Sequence, residues 1–259
     1  MDGAAAAPPL VLLHGFTGSA HSWEAHTAAL AAHYRVLRPD LPGHGATPAS
    51  TPADCAIETV ARQLARLIET TLAPPVTLLG YSMGGRLALY TALEYPQLIH
   101  TLILESASPG IADDAERLAR RAADDALAQR ILDQGITRFV DAWERLPLFA
   151  TYARLPDETR TALRQARLAN DPTGLAHSLR GMGTGVQPSL WARLPALSCH
   201  VLLITGADDA KFTGIARQMM PTLPDGQHVI ITASGHTPHL EQPDAFQSAL
   251  QNFMRLQGR

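Results

Sequence analysis

The chemistry of this sequence centres on Ser82, which stands in a pattern typical of an activated nucleophile. The residues around it read Gly80-Tyr81-Ser82-Met83-Gly84, the G-x-S-x-G pattern in which a strand turns sharply into a helix. Such a turn exposes the hydroxyl at the carboxyl edge of a sheet, and the helix start offers free backbone N–H groups to developing negative charge. The pattern therefore predicts that Ser82 is the reactive group and that the Met83 amide contributes to an oxyanion hole.

A serine of this kind requires a general base, and His236 is the best placed of the eleven histidines. It follows the last predicted strand in the run Ser234-Gly235-His236, late in the chain as the order Ser, Asp, His requires. His239, three residues further on, is the competing candidate. We expect His236 to lie at the same sheet edge as the serine.

The acid that orients this base should follow the fifth predicted strand, where Gly206-Ala207-Asp208-Asp209 offers two adjacent carboxylates. The register favours Asp209, because such loops commonly set the acid three residues after the glycine, and Asp208 remains an alternative. The carboxylate would fix the imidazole tautomer and stabilise the imidazolium that forms when the base takes a proton.

A second oxyanion donor is expected where the first predicted strand ends in His14-Gly15-Phe16. In a doubly wound sheet this strand lies beside the strand of the serine, at the point where the winding reverses. The Phe16 amide would then join the Met83 amide at one crevice. The alternative is a glycine turn that only links the strand to the next helix.

Arg86 adds a cation near the serine, because it lies one helical turn after Ser82 on the same helix face. The rest of that helix is largely apolar, and a buried guanidinium normally requires an anionic partner. The partner is either an internal Asp or Glu or a carboxylate of the substrate.

Two trios of arginines at helical spacing predict mainly an exposed, salt-bridged face. They are Arg117, Arg120 and Arg121, and Arg160, Arg164 and Arg167.

A sheet must position these residues, and the sequence alternates strands and helices in the way that builds one. Short apolar runs separated by helical patterns predict an α/β fold with a mostly parallel, doubly wound sheet. Six strands are expected near residues 10–13, 35–38, 76–79, 101–104, 200–204 and 228–232. Helices are expected near residues 22–32, 55–71, 82–95, 211–220 and 243–256.

The connection between the fourth and fifth predicted strands is much longer than one crossover helix requires. Its composition predicts short helices, such as 112–132 and 157–169. We therefore predict an α/β core of residues 1–106 and 195–259, with an inserted helical cap of residues 107–194 over one end of the sheet.

The composition narrows the class of protein. Of the 259 residues 46% are hydrophobic and 17% are charged, as in ordinary globular enzymes. The net charge of -3 disfavours nucleic acid as a partner. No apolar run approaches the ~20 residues of a membrane helix, and no secretory signal is visible. The separated cysteines, Cys55 and Cys199, predict reduced thiols in a cytoplasmic protein, which we expect to be a monomer or a weak homo-oligomer with no membrane partner.

The chain resembles one family of the α/β-hydrolase fold over nearly its full length. The segments that carry the resemblance include LHGFTGSAHSW, RPDLPGHG, LLGYSMGGRLALY, LESASPGI, SLRGMGTGVQPSLW and SGHTPHLE. They are similar to those of the 2-succinyl-6-hydroxy-2,4-cyclohexadiene-1-carboxylate synthases of menaquinone biosynthesis. The most discriminating are the arginine after SMGG, the ESASPG stretch and the SLRGMGTGVQPSLW stretch. The family's usual GExD motif, which contains the acid, reads GADD here, so both Asp208 and Asp209 are candidates for that acid.

The resemblance implies a lyase that eliminates pyruvate from 2-succinyl-5-enolpyruvyl-6-hydroxy-3-cyclohexene-1-carboxylate, a substrate with several carboxylates. It implies a Ser-His-Asp triad that acts as a general base, with no metal and no cofactor. Matched motif by motif, the triad roles fall on Ser82, Asp209 and His236, and the oxyanion amides on Phe16 and Met83. The carboxylate contacts fall on Arg86, Arg120 and Arg167, and Tyr81 and Trp143 resemble pocket residues.

The same triad permits a second reaction, in which Ser82 attacks as a nucleophile and forms an acyl-enzyme. The protein would then be a carboxylesterase or a carbon–carbon bond hydrolase with the same active-site sequence. A ligand-sensing protein that keeps a vestigial triad is the third candidate. The complete set of catalytic residue types argues against that non-enzymatic class.

Overall fold

A parallel sheet of six strands forms the centre of the molecule. The computed structural model describes residues 1–257, and it describes side chains for residues 1–255. The strands are β1 (Pro9–Leu13), β2 (Arg35–Leu37), β3 (Val76–Tyr81), β4 (Ile99–Glu105), β5 (His200–Gly206) and β6 (Gly226–Ile231). Their order is β2-β1-β3-β4-β5-β6, and each neighbouring pair is parallel.

The winding of the sheet reverses between β1 and β3. The chain leaves β1 for β2 on one side and then returns to place β3 on the other side of β1. Leu13 of β1 lies opposite Gly80 of β3, so the residues after these two strands emerge side by side. Ligands of such sheets bind in the crevice outside the carboxyl ends of the strands at this point. The predicted doubly wound α/β fold is therefore confirmed.

Helices cover both faces of the sheet. They are α1 (Glu24–Ala31), α2 (Ile57–Thr71), α3 (Met83–Glu94), α4 (Asp114–Trp143), α5 (Asp157–Leu168), α6 (Pro172–Met182), α7 (Ala210–Met219), α8 (Pro238–Glu241) and α9 (Pro243–Gln257). The helices α2, α3 and α7 pack on one face, and α1 and α9 pack on the other. None of the helices within residues 1–257 has both the length and the apolar character needed to cross a bilayer.

Side chains of the strands alternate between two apolar layers, as the two-residue period of a strand requires. On β3, Leu78 faces the layer with α2 and α3, whereas Leu79 faces the layer with α1 and α9. Trp23 and Phe246 are the largest fully buried side chains, and both lie in the second layer. Because both faces are covered, the strands read as continuous apolar runs, and the sequence pattern located all six of them.

The connection between β4 and β5 carries α4, α5 and α6. Helix α4 continues to Trp143, beyond the predicted end at 132, and it is broken at Gly135, where φ is 81°. Helix α6 is an addition to the predicted elements. Its start carries ordinary signals, because Asp171 accepts hydrogen bonds from the amides of the first turn and Pro172 occupies that turn.

These inserted helices share an apolar cluster of their own. Its buried members come from α4 and α6, and Phe16 of the core packs against them. They are Ala128, Ile131, Phe139, Val140, Leu175, Ala176 and Leu179. The three helices fall within the predicted cap range 107–194, whose boundaries stay a prediction. Residues 258–259 of the predicted core range lie outside the described residues.

A carboxylate fixes the loop that follows β6. Glu241, in α8, accepts a hydrogen bond from the Gly235 amide through Oε2 at 2.9 Å and from the Thr237 amide through Oε1 at 3.0 Å. These two amides flank residue 236 on either side. One carboxylate therefore binds the amide of the residue before His236 and the amide of the residue after it. This pairing restrains the position of His236.

We predict that Glu241→Gln lowers the free energy of unfolding by about 1–3 kcal/mol, because the glutamine side chain has one acceptor oxygen and one of the two backbone amides then faces an NH₂ donor. Urea denaturation followed by circular dichroism measures the change. Glu69→Gln, at an exposed position of α2, is the matched control and should leave the midpoint in place. Equal midpoints for the two variants would show that the paired amides do not stabilise the fold.

Candidate active site

The turn between β3 and α3 holds Ser82 in a left-handed backbone conformation with φ 49° and ψ -106°. A side chain at Gly80 would collide with the backbone of Gly84, and one at Gly84 would collide with the backbone of Leu13 and His14. Only glycine permits approaches this close, so the strand can turn into the helix at residue 82. The turn directs the serine hydroxyl into the crevice at the carboxyl edge of the sheet.

Three side chains that are distant in sequence meet at this edge. The Ser82 hydroxyl lies 3.1 Å from His236 Nε2, and His236 Nδ1 lies 2.7 Å from Asp209 Oδ2. The His236 side chain is only 2% exposed. When Nδ1–H donates to the carboxylate, Nε2 is the unprotonated nitrogen and can accept the hydroxyl proton. The arrangement is that of a base oriented by an acid.

The structure separates the two aspartates that the sequence left open. Asp209 caps α7, since its Oδ1 accepts a hydrogen bond from the Phe212 amide at 3.1 Å, and its other oxygen faces His236. Asp208 points away and forms an ion pair with Arg154 in the inserted segment. Asp209, which lies three residues after Gly206 and is favoured by the register, is therefore the aspartate that contacts the imidazole.

His239 belongs to a different buried pair. Its Nδ1 lies 2.8 Å from Glu105 Oε2, and its backbone amide donates to Oε1 of the same carboxylate at 2.9 Å. His239 also accepts a hydrogen bond at its carbonyl oxygen from His26 Nε2 at 2.8 Å. These contacts anchor α8 to the end of β4, and His236 is the histidine that the structure brings to the serine.

The first strand brings a second amide to the crevice. Phe16 and Met83 both line the cavity that contains Ser82 and His236. Within residues 1–257, neither the Phe16 nor the Met83 amide donates a hydrogen bond to another protein group. Two unused donors at one crevice are what an oxyanion requires. The shared cavity and the unused donors agree with the predicted oxyanion hole, and the oxyanion roles of the two amides stay a prediction.

The cavity has a volume of about 780 Å³ and lies between the sheet edge and the inserted helices. Tyr81 and Trp143, which the resemblance marks as pocket residues, line it, and the Tyr81 hydroxyl bonds to Thr237 Oγ1 at 2.8 Å. Burial raises the pKa of Tyr81 well above its usual range. Its phenol is therefore neutral at physiological pH.

Arg86 lies in the wall of this cavity and is only 9% exposed. Its Nη1 donates a hydrogen bond to Gln187 Oε1 at 2.7 Å, and no Asp or Glu of the described chain forms an ion pair with it. Burial lowers the pKa of Arg86 to about 10, with a further lowering from the nearby charge of Arg120. The guanidinium remains protonated at neutral pH, so the cavity contains a cation without an internal anionic partner.

The other two predicted arginines differ from each other. Arg120 lines the cavity, and its Nε is held by Asp124 at 2.7 Å. Arg167 is not among the residues that line the cavity, and its contact with a substrate carboxylate stays a prediction. It pairs with Glu144 at 3.1 Å and lies over the Phe149 ring, 5.3 Å from its centroid. Its Nε is buried and has no hydrogen-bond partner among the described residues.

Three further residues that had no role predicted from the sequence line the cavity. Lys211 and Phe212 follow the acid in the first turn of α7, and both line the cavity. Phe149, in the inserted segment, also lines it. The position of Lys211, two residues after Asp209, was the available signal, because the start of a helix that carries the acid must face the site.

Two buried histidines support the loop of Phe16. His14 Nδ1 donates to the Gly15 carbonyl at 2.8 Å, and its Nε2 accepts from the Leu41 amide at 3.0 Å. The His44 ring lies 5.2 Å from the His14 ring and 5.7 Å from the Phe16 ring. Burial lowers the pKa of His14 to about 4 and that of His44 to about 3. Both imidazoles are therefore neutral in the folded protein.

These lowered values predict a loss of stability in acid. The unfolded chain binds protons at both histidines below pH 6.5, whereas the folded chain binds them only near pH 4 and pH 3. The stability present above pH 6.5 therefore falls as the pH drops, by about 1.4 kcal/mol per pH unit for each histidine. Urea denaturation between pH 7 and pH 4.5 measures the slope. His44→Gln should reduce the slope by the share of one histidine, and an unchanged slope would contradict the assignment.

Known proteins that are similar to this chain fall in one family. Residues 10–249 match the alpha/beta hydrolase family. A Bacillus subtilis protein, provisionally named as a 2-succinyl-6-hydroxy-2,4-cyclohexadiene-1-carboxylate synthase, is 41% identical over 98% of this chain and 92% of its own length. A Serratia proteamaculans protein with that name is 32% identical over 98% of this chain and 95% of its own length.

A solved structure gives the same result. MenH from S. aureus superposes with a TM-score of 0.96 at 37% sequence identity, and the match covers 100% of this chain and 98% of that one. The sequence relatives and the structural relative thus agree over almost the whole length. The chain belongs to the α/β hydrolase family and, within it, to the family of the 2-succinyl-6-hydroxy-2,4-cyclohexadiene-1-carboxylate synthases.

Proposed function

We propose that this protein eliminates pyruvate from 2-succinyl-5-enolpyruvyl-6-hydroxy-3-cyclohexene-1-carboxylate and releases 2-succinyl-6-hydroxy-2,4-cyclohexadiene-1-carboxylate, a step of menaquinone biosynthesis. The observation that carries the proposal is the pairing of a hydrogen-bonded Ser82-His236-Asp209 set with a cavity cation, Arg86, that no internal carboxylate neutralises. The names of the sequence relatives support the same reaction.

The structures of substrate and product determine the bond changes. The ring carbon C2, beside the succinyl carbonyl, loses its proton, and the electrons of that bond form a C2=C3 double bond. The C3=C4 double bond moves to C4=C5, and the C5–oxygen bond breaks, so that the enolpyruvyl group leaves with the electron pair. The released enolpyruvate takes up a proton at carbon and becomes pyruvate. The reaction is therefore a proton abstraction followed by loss of a leaving group, without oxidation or reduction, and we propose that it requires no metal or cofactor.

Ser82 and His236 supply the base in this scheme. His236 Nε2 accepts the hydroxyl proton, and the serine oxygen removes the proton from carbon. Asp209 stabilises the imidazolium that forms. As the carbon–hydrogen bond breaks, negative charge moves to the succinyl carbonyl oxygen, and the amides of Phe16 and Met83 receive it. A positioned base of this kind typically contributes a factor of about 10²–10⁴ to the rate.

The carboxylates of the substrate explain the cations around the cavity. Arg86 and Arg120 line it on the side of α3 and α4, and Lys211 lines it at the start of α7. Cations within a cavity of low polarity attract carboxylates more strongly than cations in water, because the field is less screened. We propose that a polycarboxylate substrate is held by these groups with its acidic carbon toward Ser82.

We further propose that the protein acts in the cytoplasm as a monomer or a weak homo-oligomer. The support for the compartment is the state of Cys55 and Cys199, which are both buried and free. Burial raises the pKa of the Cys55 thiol to about 12 and that of Cys199 to about 11, so both thiols are protonated and unreactive at neutral pH.

We predict that the purified enzyme releases pyruvate from the cyclohexene substrate. Coupling the release to lactate dehydrogenase gives a continuous measurement through NADH absorbance. A folded protein that releases no pyruvate would contradict the proposed reaction. A burst of nitrophenol from a short-chain ester, followed by turnover, would instead support the hydrolase chemistry in which Ser82 is a nucleophile.

We predict that Ser82→Ala reduces kcat for pyruvate release by about 10²–10⁴-fold, because the base is lost while the cavity keeps its shape. The coupled assay and a thermal melt are measured on the same preparation. Ser50→Ala, at an exposed position outside the cavity, is the control and should keep the wild-type kcat. A kcat for Ser82→Ala near the wild-type value would remove Ser82 from the mechanism.

A further inference from the structure

Gln187 contacts the cation of the cavity from behind. Its side chain is fully buried, and its Oε1 accepts the hydrogen bond from Arg86 Nη1 at 2.7 Å. Because a guanidinium has only donors, the amide oxygen must face Arg86, and this fixes the orientation of the amide group. The Gln187 Nε2 group is buried with no partner among the described residues. An unused buried donor is costly, which argues against a role in packing alone.

The backbone around Gln187 holds this amide in one place. The Gln187 amide N–H donates to the Gly183 carbonyl at 3.1 Å, which closes a tight turn after α6. Asp124 secures the same turn, because its Oδ2 accepts a hydrogen bond from the Gly185 amide at 3.2 Å. The position of the Gln187 side chain is therefore set by the turn, and Arg86 is oriented by a fixed acceptor.

Asp124, the acid whose charge acts on Arg86, is already bound to other groups. Asp124 binds Arg120 Nε through Oδ1 and the Gly185 amide through Oδ2, and its side chain is only 4% exposed. Asp124 influences Arg86 through its charge, without an ion pair between the two. The only hydrogen bond that Arg86 makes within the described side chains is the one to a neutral amide.

We infer that Gln187 is a positioning residue for the carboxylate site, because it fixes the Arg86 guanidinium through a neutral amide and leaves the positive charge for a substrate carboxylate. This inference rests on the proposed function. A glutamate at this position would make an equally good hydrogen bond, and its charge would cancel that of Arg86 in a region where charges are weakly screened. A neutral acceptor orients the cation and preserves its field.

The test is the nearly isosteric variant Gln187→Glu, which places a carboxylate against Arg86 with little change in shape. KM for the polycarboxylate substrate should rise by about 10- to 100-fold, because the cation now has an internal partner. The effect on kcat should be much smaller, since the base and the oxyanion amides are untouched. The melting temperature should stay at or above that of the wild type, because a buried ion pair forms.

Gln187→Met is the matched control, since it keeps the size of the side chain and removes the hydrogen bond without adding charge. It should lower the melting temperature and raise KM less than Gln187→Glu does. A purely structural role predicts the opposite order, in which the methionine variant loses at least as much substrate affinity as the glutamate variant. That order would overturn the inference.

Binding of succinate separates this inference from the proposed reaction. Calorimetry at low ionic strength should show binding to the wild type and about tenfold weaker binding, or more, to Gln187→Glu. Equal affinities, or no binding of succinate to the wild type, would overturn the role of Gln187. A wild type that binds succinate in this pattern and releases no pyruvate would contradict the proposed function and leave the charge effect of Gln187 supported.

Discussion

The chain must pass from β3 into α3 within a single residue, and the rest of the site is arranged around that turn. The glycines on either side let three backbone segments approach more closely than any side chain would allow. Ser82 adopts a left-handed conformation that costs about 1–3 kcal/mol in isolation. Its amide donates to the Glu105 carbonyl of β4 at 2.9 Å, and the helix that follows is packed in the core. The neighbouring elements therefore maintain the strained geometry.

Once the serine is placed, the order of the strands brings the other groups to it. The strand β1 is adjacent to β3, so the Phe16 amide emerges beside the serine, while β5 and β6 carry the acid and the base from the opposite side. The site therefore depends on contacts between the ends of four parallel strands. The strands β1, β3 and β5 are buried on both faces, so a large part of the apolar core contributes to keeping the triad within hydrogen-bonding distance.

The site also meets two electrostatic requirements that oppose each other. His236 needs an anion behind it so that it can accept a proton, and Asp209 supplies that anion at 2.7 Å. Under the proposed function Arg86 needs the reverse, because an anion behind it would weaken its attraction for a substrate carboxylate. Gln187 meets that need with a neutral oxygen at the same distance. Asp209 thus places a negative charge beside His236, whereas Gln187 leaves the positive charge of Arg86 without an internal counter-charge.

The sequence was most informative where function is tied to short, local patterns. Ser82, His236 and Asp209 all follow predicted strands at fixed spacing, and the structure brings the three together. Helix α6 was not predicted, although Asp171 and Pro172 give its start the usual signals of a helix N-terminus. Arg167 has the helical spacing of an exposed, salt-bridged face, yet it is buried and pairs with Glu144, 23 positions earlier. The partner of Arg86 lies 101 positions away in sequence, so no local pattern identifies it.

The segment from Ser234 to Glu241 contains the imidazole together with the carboxylate that fastens its loop. Most catalytic side chains are held by groups scattered through the polypeptide, whereas Glu241, the group that holds the loop of His236, lies only a few positions after it. The segment therefore contains both the histidine and the group that restrains its loop. Grafted as a unit after the last strand of a related scaffold, it would bring the histidine with its peptide groups already restrained, whereas a graft of the histidine alone would leave the loop free to choose among conformations.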